Sequence, residues 1–94
     1  MPLIVDCDGI ANIEEFWDRY ESCVGAESAR FFGRNFNALW DALEGGGPGC
    51  PDAMHVIFKN AASLRDLKMR SGDNFLAILQ EIATKVSSIR VEIA

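Results

Sequence analysis

The chain has 94 residues, 49% of them hydrophobic and 24% charged, with a formal net charge of −5. That length and balance suit one folded domain over residues 1–94, with a core large enough to need neither metal nor disulfide. The acidic sign excludes nucleic acid as the main partner, because phosphate recognition needs a basic footprint, and it favours a basic protein instead.

Leu3, Ile4 and Val5 form a short β-prone run that Asp6, Cys7, Asp8 and Gly9 end as a turn. Asn12, three residues before Glu15, resembles a capping box, and Ile13, Phe16, Trp17, Tyr20 and Val24 then follow at helical spacing up to Gly25. Asn35 opens a second, shorter helix with Phe36, Leu39, Trp40 and Leu43 as its apolar stripe. The run Gly45-Gly46-Gly47-Pro48-Gly49 ends it. That run follows a helix and lacks a Lys-Ser/Thr pair, so it reads as a flexible connector and not as a phosphate loop.

Met54 to Phe58 is a second strand, Ala61 to Leu67 a short helix with Asn60 at its start, and Asp73 to Val86 the longest helix. Phe75, Ile78, Leu79, Ile82 and Val86 mark that helix's buried side. Ile89 to Ile93 alternates as a final half-exposed strand. Strands separated by helices imply parallel pairing through crossovers. The expected fold is a small α/β domain, a three-stranded parallel sheet packed with about four helices.

Cys7, Cys23 and Cys50 are odd in number and without close spacing, and the one histidine, His55, stands far from them in sequence. They read as idle thiols, with no metal site and no cofactor implied. No apolar run approaches the roughly 18 residues of a membrane helix, and the N-terminus lacks a signal-peptide pattern. The expected location is the cytoplasm, with no membrane partner.

The most informative segment is Phe31-Phe32-Gly33-Arg34-Asn35-Phe36-Asn37-Ala38-Leu39-Trp40-Asp41-Ala42-Leu43. Its apolar stripe faces the core, so helical spacing leaves Asn37, Asp41 and Glu44 together on the opposite side. The bland alternative is a solvated helix surface. The segment closely resembles the binding loop and second helix of the barstar family of intracellular ribonuclease inhibitors. The family pattern is two aromatics, Gly, any residue, Asn, an apolar residue, Asp, then Ala-Leu-Trp-Asp-Ala-Leu. Gly33, Asn35, Trp40 and Asp41 match it outright, and the order of elements agrees over nearly the whole chain.

The resemblance implies an inhibitor, not an enzyme, whose partner is a basic ribonuclease or related toxin. It implies that Asp41 occupies the partner's phosphate pocket, where a carboxylate can accept paired hydrogen bonds from arginine as a phosphate does. Glu81 aligns with a second acid of the family, and Phe31, Gly33, Asn35, Asn37, Trp40 and Glu44 complete the implied face. Two positions depart from the pattern: Asn37 stands for an acid and Phe31 for a tyrosine. The free protein is expected to be a monomer or weak dimer.

Two other readings stay open at this point. A barstar-like scaffold could serve a partner that is not a nuclease. Ile4-Val5-Asp6-Cys7-Asp8-Gly9 also resembles the first motif of haloacid-dehalogenase-type phosphatases, where the first Asp is a nucleophile and the second a general acid. That chemistry needs a distant Lys and an acidic pair holding magnesium, and no such pair follows a strand here. A Cys-His-Asp nucleophile built on His55 has no supporting context.

Overall fold

A computed structural model describes residues 1–94. The chain runs β1 (Leu3–Asp6), α1 (Ile13–Val24), α2 (Ala26–Ala29), α3 (Phe36–Gly45), β2 (His55–Lys59), α4 (Phe75–Lys85) and β3 (Arg90–Ile93), with one 3₁₀ turn at Ala61–Leu64. The sheet order is β1-β2-β3, and both pairs are parallel. This is the α/β architecture that the alternation of strand and helix patterns predicts. None of the helices is long and apolar enough to cross a membrane.

Register decides which sheet face is covered. Leu3 lies opposite Val56, which lies opposite Val91, and Val5 lies opposite Phe58, which lies opposite Ile93. Val5, Val56 and Phe58 are fully buried and belong to the same core as the helices. The other face carries Ile4, His55, Ile57, Arg90 and Glu92 and is only partly shielded. The outer edge of β1 is not left open: Cys23 donates its thiol to the Ile4 carbonyl and Arg19 donates to the Asp6 carbonyl, both from α1. Covering a strand edge in this way protects it from pairing with another chain.

Aromatic rings fill the space between sheet and helices. Phe16 stacks at 5.8 Å on Phe58 and meets Phe75 edge-on at 4.9 Å. Trp17 packs against Phe32 and Phe36, and Phe36 against Phe75 at 4.7 Å. Aromatic side chains bury large areas and prefer such tilted contacts. The consequence for function is that α3 is seated through Phe36 on both α1 and α4.

Three helices start on asparagine. The side chains of Asn12, Asn35 and Asn74 accept from the backbone N–H of Glu15, Ala38 and Ala77 at 2.9, 2.8 and 3.0 Å. Each satisfies one orphan donor of a first turn. The Asn12 cap forms as expected, but the reciprocal half of the capping box is altered: Glu15 accepts from the Ala11 N–H and from the Asn12 side-chain amide, not from the Asn12 backbone N–H. The last helix begins at Phe75, not Asp73, because Asn74 is its cap. Asn60 differs from expectation: it adopts a left-handed conformation and turns its side chain to Asp6, so the segment after it forms only the 3₁₀ turn. The three cysteines are free thiols, and burial pushes Cys7 up to about 12.

The glycine run after α3 is more tightly held than a flexible connector. Gly46 closes the helix in the left-handed region, and the Gly46 and Gly47 N–H groups both donate to the Asp41 carbonyl. Gly49 is pinned twice: its N–H donates to the Ser28 carbonyl at 2.7 Å, and the Gly49 carbonyl accepts from the buried Tyr20 hydroxyl at 2.8 Å.

Candidate functional site

The segment from Phe31 to Glu44 builds a loop and helix whose inner side is fixed by the core. Leu39, Ala42 and Leu43 are buried, and Phe32 is nearly so. Phe31 points away, 76% exposed, with the Arg30 guanidinium 5.3 Å from its ring centre. Asn35 serves the loop twice, capping α3 and donating from its amide to the Gly33 carbonyl at 3.2 Å. A β-carbon at Gly33 would stand 3.2 Å from that of Ala38, so the loop turns tightly against the first turn of the helix.

The outer side of α3 presents Asn37 and Asp41, both exposed and one turn apart. Trp40 is half-buried, as its place on the apolar stripe predicts. Between α3 and α4 lies an open groove of about 390 Å³, with Phe36, Trp40, Ile78 and Ile82 as its apolar lining. Asn37, Glu81 and Lys85 form the polar part. Glu81 is therefore brought beside Asn37 and Trp40 although about forty residues separate them in sequence. Its carboxylate accepts from the Lys85 ammonium at 2.7 Å, and both side chains are 61% exposed.

Glu44 has a different place from Asp41. Its carboxylate accepts from the backbone N–H of Ser87 at 2.9 Å and of Ser88 at 2.7 Å, and from the Ser87 hydroxyl, tying the end of α3 to the α4–β3 connection. These bonds hold the acid at about 2, below its ordinary 4.5, and the backbone donors are the main cause. Because the folded acid binds its proton less readily than the unfolded one, its stabilisation is complete above about 4.5 and is lost as pH falls towards about 2. Glu44→Gln should therefore melt below the parent at neutral pH, with the gap closing across that window. Parallel curves from pH 7 to pH 2 would contradict this clamp.

Intramolecular bonds thus engage Glu44 and Glu81 but leave the Asp41 carboxylate without a partner. The family described as Barstar (barnase inhibitor) matches the sequence over residues 1–94, its full length. The chain belongs to the barstar family. It is a barnase-inhibitor-like domain, and the family is an inhibitor domain and not a catalytic one. A search of curated proteins finds no match.

One residue of this barstar-family loop escaped sequence reasoning. Arg34 occupies the position where the family pattern allows any residue. It adopts a positive φ of 54° and reaches across to α1, where its guanidinium meets Asp18 at 2.9 Å and Glu14 and Glu21 at 3.1 Å. It also donates to the Glu14 carbonyl. The three acids lie on one face of α1, so a single planar cation relieves their mutual repulsion while it holds the loop down. The i, i+4, i+7 spacing of those acids was the available signal.

In this barstar-family chain the strand-end pair Asp6 and Asp8 serves a turn. Asp6 accepts from the Asn60 amide at 2.8 Å and from the Asp8 N–H at 3.0 Å, and these bonds, the Asn60 bond most, hold its carboxyl below the usual aspartate pKa. His55 lies on the partly shielded sheet face, where it pairs across strands with Glu92 at 2.9 Å. No three His, Cys, Asp or Glu side chains gather closely enough to hold a metal ion.

Proposed function

We propose that this protein blocks the active site of a small basic ribonuclease of the barnase kind by covering it with the Phe31 loop and the outer side of α3. Asp41 carries the reading. It is an exposed carboxylate on a helix whose core side and cap are fully committed, and nothing inside the chain neutralises it. A carboxylate held out in this way is ready to meet the cations that bind a substrate phosphate. Phe31 and Trp40 supply apolar area on either side, with Gly33 and Asn35 shaping the loop between them. Glu44 contributes by fixing the helix end and Glu81 from the neighbouring helix.

The protein itself catalyses nothing on this reading and works in the cytoplasm, where it would guard its own cell from the nuclease. The test is titration of barnase-catalysed RNA cleavage with the purified chain. Activity should fall linearly to a one-to-one end point. Association should slow as salt rises, because the Debye length shrinks from about 10 Å at 0.1 M to about 3 Å at 1 M. Full cleavage activity at tenfold excess of the chain would overturn the assignment and favour a partner that is not a nuclease.

A further inference from the structure

We propose that Lys85 is a specificity-determining residue of this face, which by pairing with Glu81 keeps the α3–α4 groove electrically neutral and weakens binding to a uniformly cationic surface. The inference rests on the proposed inhibitory face and concerns which partners that face accepts. The partner it fits sets its cations against Asp41 and seats an uncharged, apolar side chain in the groove.

The observations are geometric. Lys85 lines the same groove as Asn37, Trp40 and Glu81, and its ammonium lies 2.7 Å from the Glu81 carboxylate. Asn37 brings no charge. The groove therefore holds one anion and one cation in contact, above a lining of Phe36, Trp40, Ile78 and Ile82. Asp41, one turn beyond Asn37 on α3, keeps its charge free. A surface bearing several cations would gain from Asp41, but at Glu81 it must compete with Lys85 or be repelled by it. Like charges brought together at an interface suppress the wrong partner, which is how specificity is set against alternatives.

A purely structural role is the competing account. Lys85 stands in the last turn of α4, where a cation favours the helix dipole, and it forms an i, i+4 pair with Glu81. That account predicts a small loss of helix stability and no gain in binding. The two separate cleanly in dissociation rates measured with barnase as the probe, at constant salt, alongside thermal unfolding. Lys85→Gln should slow barnase dissociation roughly tenfold, because it frees Glu81 and removes a repelling charge. Lys85→Gln combined with Glu81→Gln should return to within about threefold of the parent, since the charge balance of the groove is restored. Unchanged or faster dissociation of Lys85→Gln, with the parent binding normally, overturns the inference and leaves the inhibitory reading standing. A double variant that stays as tight as Lys85→Gln would show that Glu81 is not what Lys85 masks, and would also overturn it. If neither parent nor variants bind barnase, the inhibitory reading itself falls and takes this inference with it.

Discussion

Gly49→Ala is expected to destabilise the fold by about 3 kcal/mol, as overpacking adds to left-handed backbone strain. The φ of Gly49 is +86°, and a β-carbon there would stand 2.5 Å from the Phe32 ring. Phe32 cannot withdraw, because it is wedged against Trp17 and Tyr20, with ring centres 5.7 and 5.3 Å away. Moving the backbone instead would break the bonds that Gly49 makes to Ser28 and Tyr20, leaving the buried Tyr20 hydroxyl unsatisfied. Gly72→Ala is the matched control, since its φ is +91° but nothing lies within 4 Å of the added carbon. It should cost only the strain, about 1–2 kcal/mol. Urea unfolding of both variants measures the difference directly. Equal losses would show that the Phe32 contact is soft and that the connector tolerates side chains.

The contrast between these two glycines shows where sequence reasoning stops. Nothing in the sequence separates the two positions, and only the packed structure reveals the ring beneath Gly49. The same holds elsewhere. Helices α1 and α3 were legible because their signals are local: an asparagine cap, a 3.6-residue apolar period and a glycine stop lie within about a dozen residues of each other, whereas the short α2 carries no such signals. The loop and helix from Phe31 to Glu44 were legible for the same reason, since the segment is contiguous. What escaped were the contacts between distant segments. Nothing near Glu44 announces that Ser87 and Ser88 will take its carboxylate, so spacing alone set it beside Asp41 as a free acid. Nothing near Gly33 announces that Arg34 will clasp three acids of α1. Glu81 was found through resemblance, but its neutralising partner Lys85 was not, although i, i+4 spacing on a predicted helix points to it. Asn60 misled because an asparagine before a short apolar run usually caps, whereas here it bridges two strand ends.

The second large effect is expected in binding. Asp41 is the sixth residue of the ten in α3, on the side away from Leu39, Ala42 and Leu43. Its carboxylate supports nothing inside the fold, and aspartate is a poorer helix former than alanine by up to about 0.7 kcal/mol. Asp41→Ala should therefore leave stability unchanged or raise it. If Asp41 enters a cationic pocket, its loss strands the partner's buried charges without a counterion. That costs at least about 2 kcal/mol, on a scale to which charge pairs between barnase and barstar themselves contribute, and it appears in dissociation more than in association. Glu81→Ala should act in the same direction but less, because Glu81 already shares its charge with Lys85. Stability and affinity would then move oppositely at one residue, which a structural role for Asp41 cannot produce.

The measurement that bears most directly on this is Asp41→Ala compared with the parent, by thermal unfolding and by barnase dissociation on the same preparations. The account predicts a melting temperature equal to or above the parent's and dissociation faster by roughly thirtyfold or more, the equivalent of about 2 kcal/mol. Equal dissociation of mutant and parent would contradict it: the barstar fold would stand, and the acidic helix face would have no part in holding the nuclease.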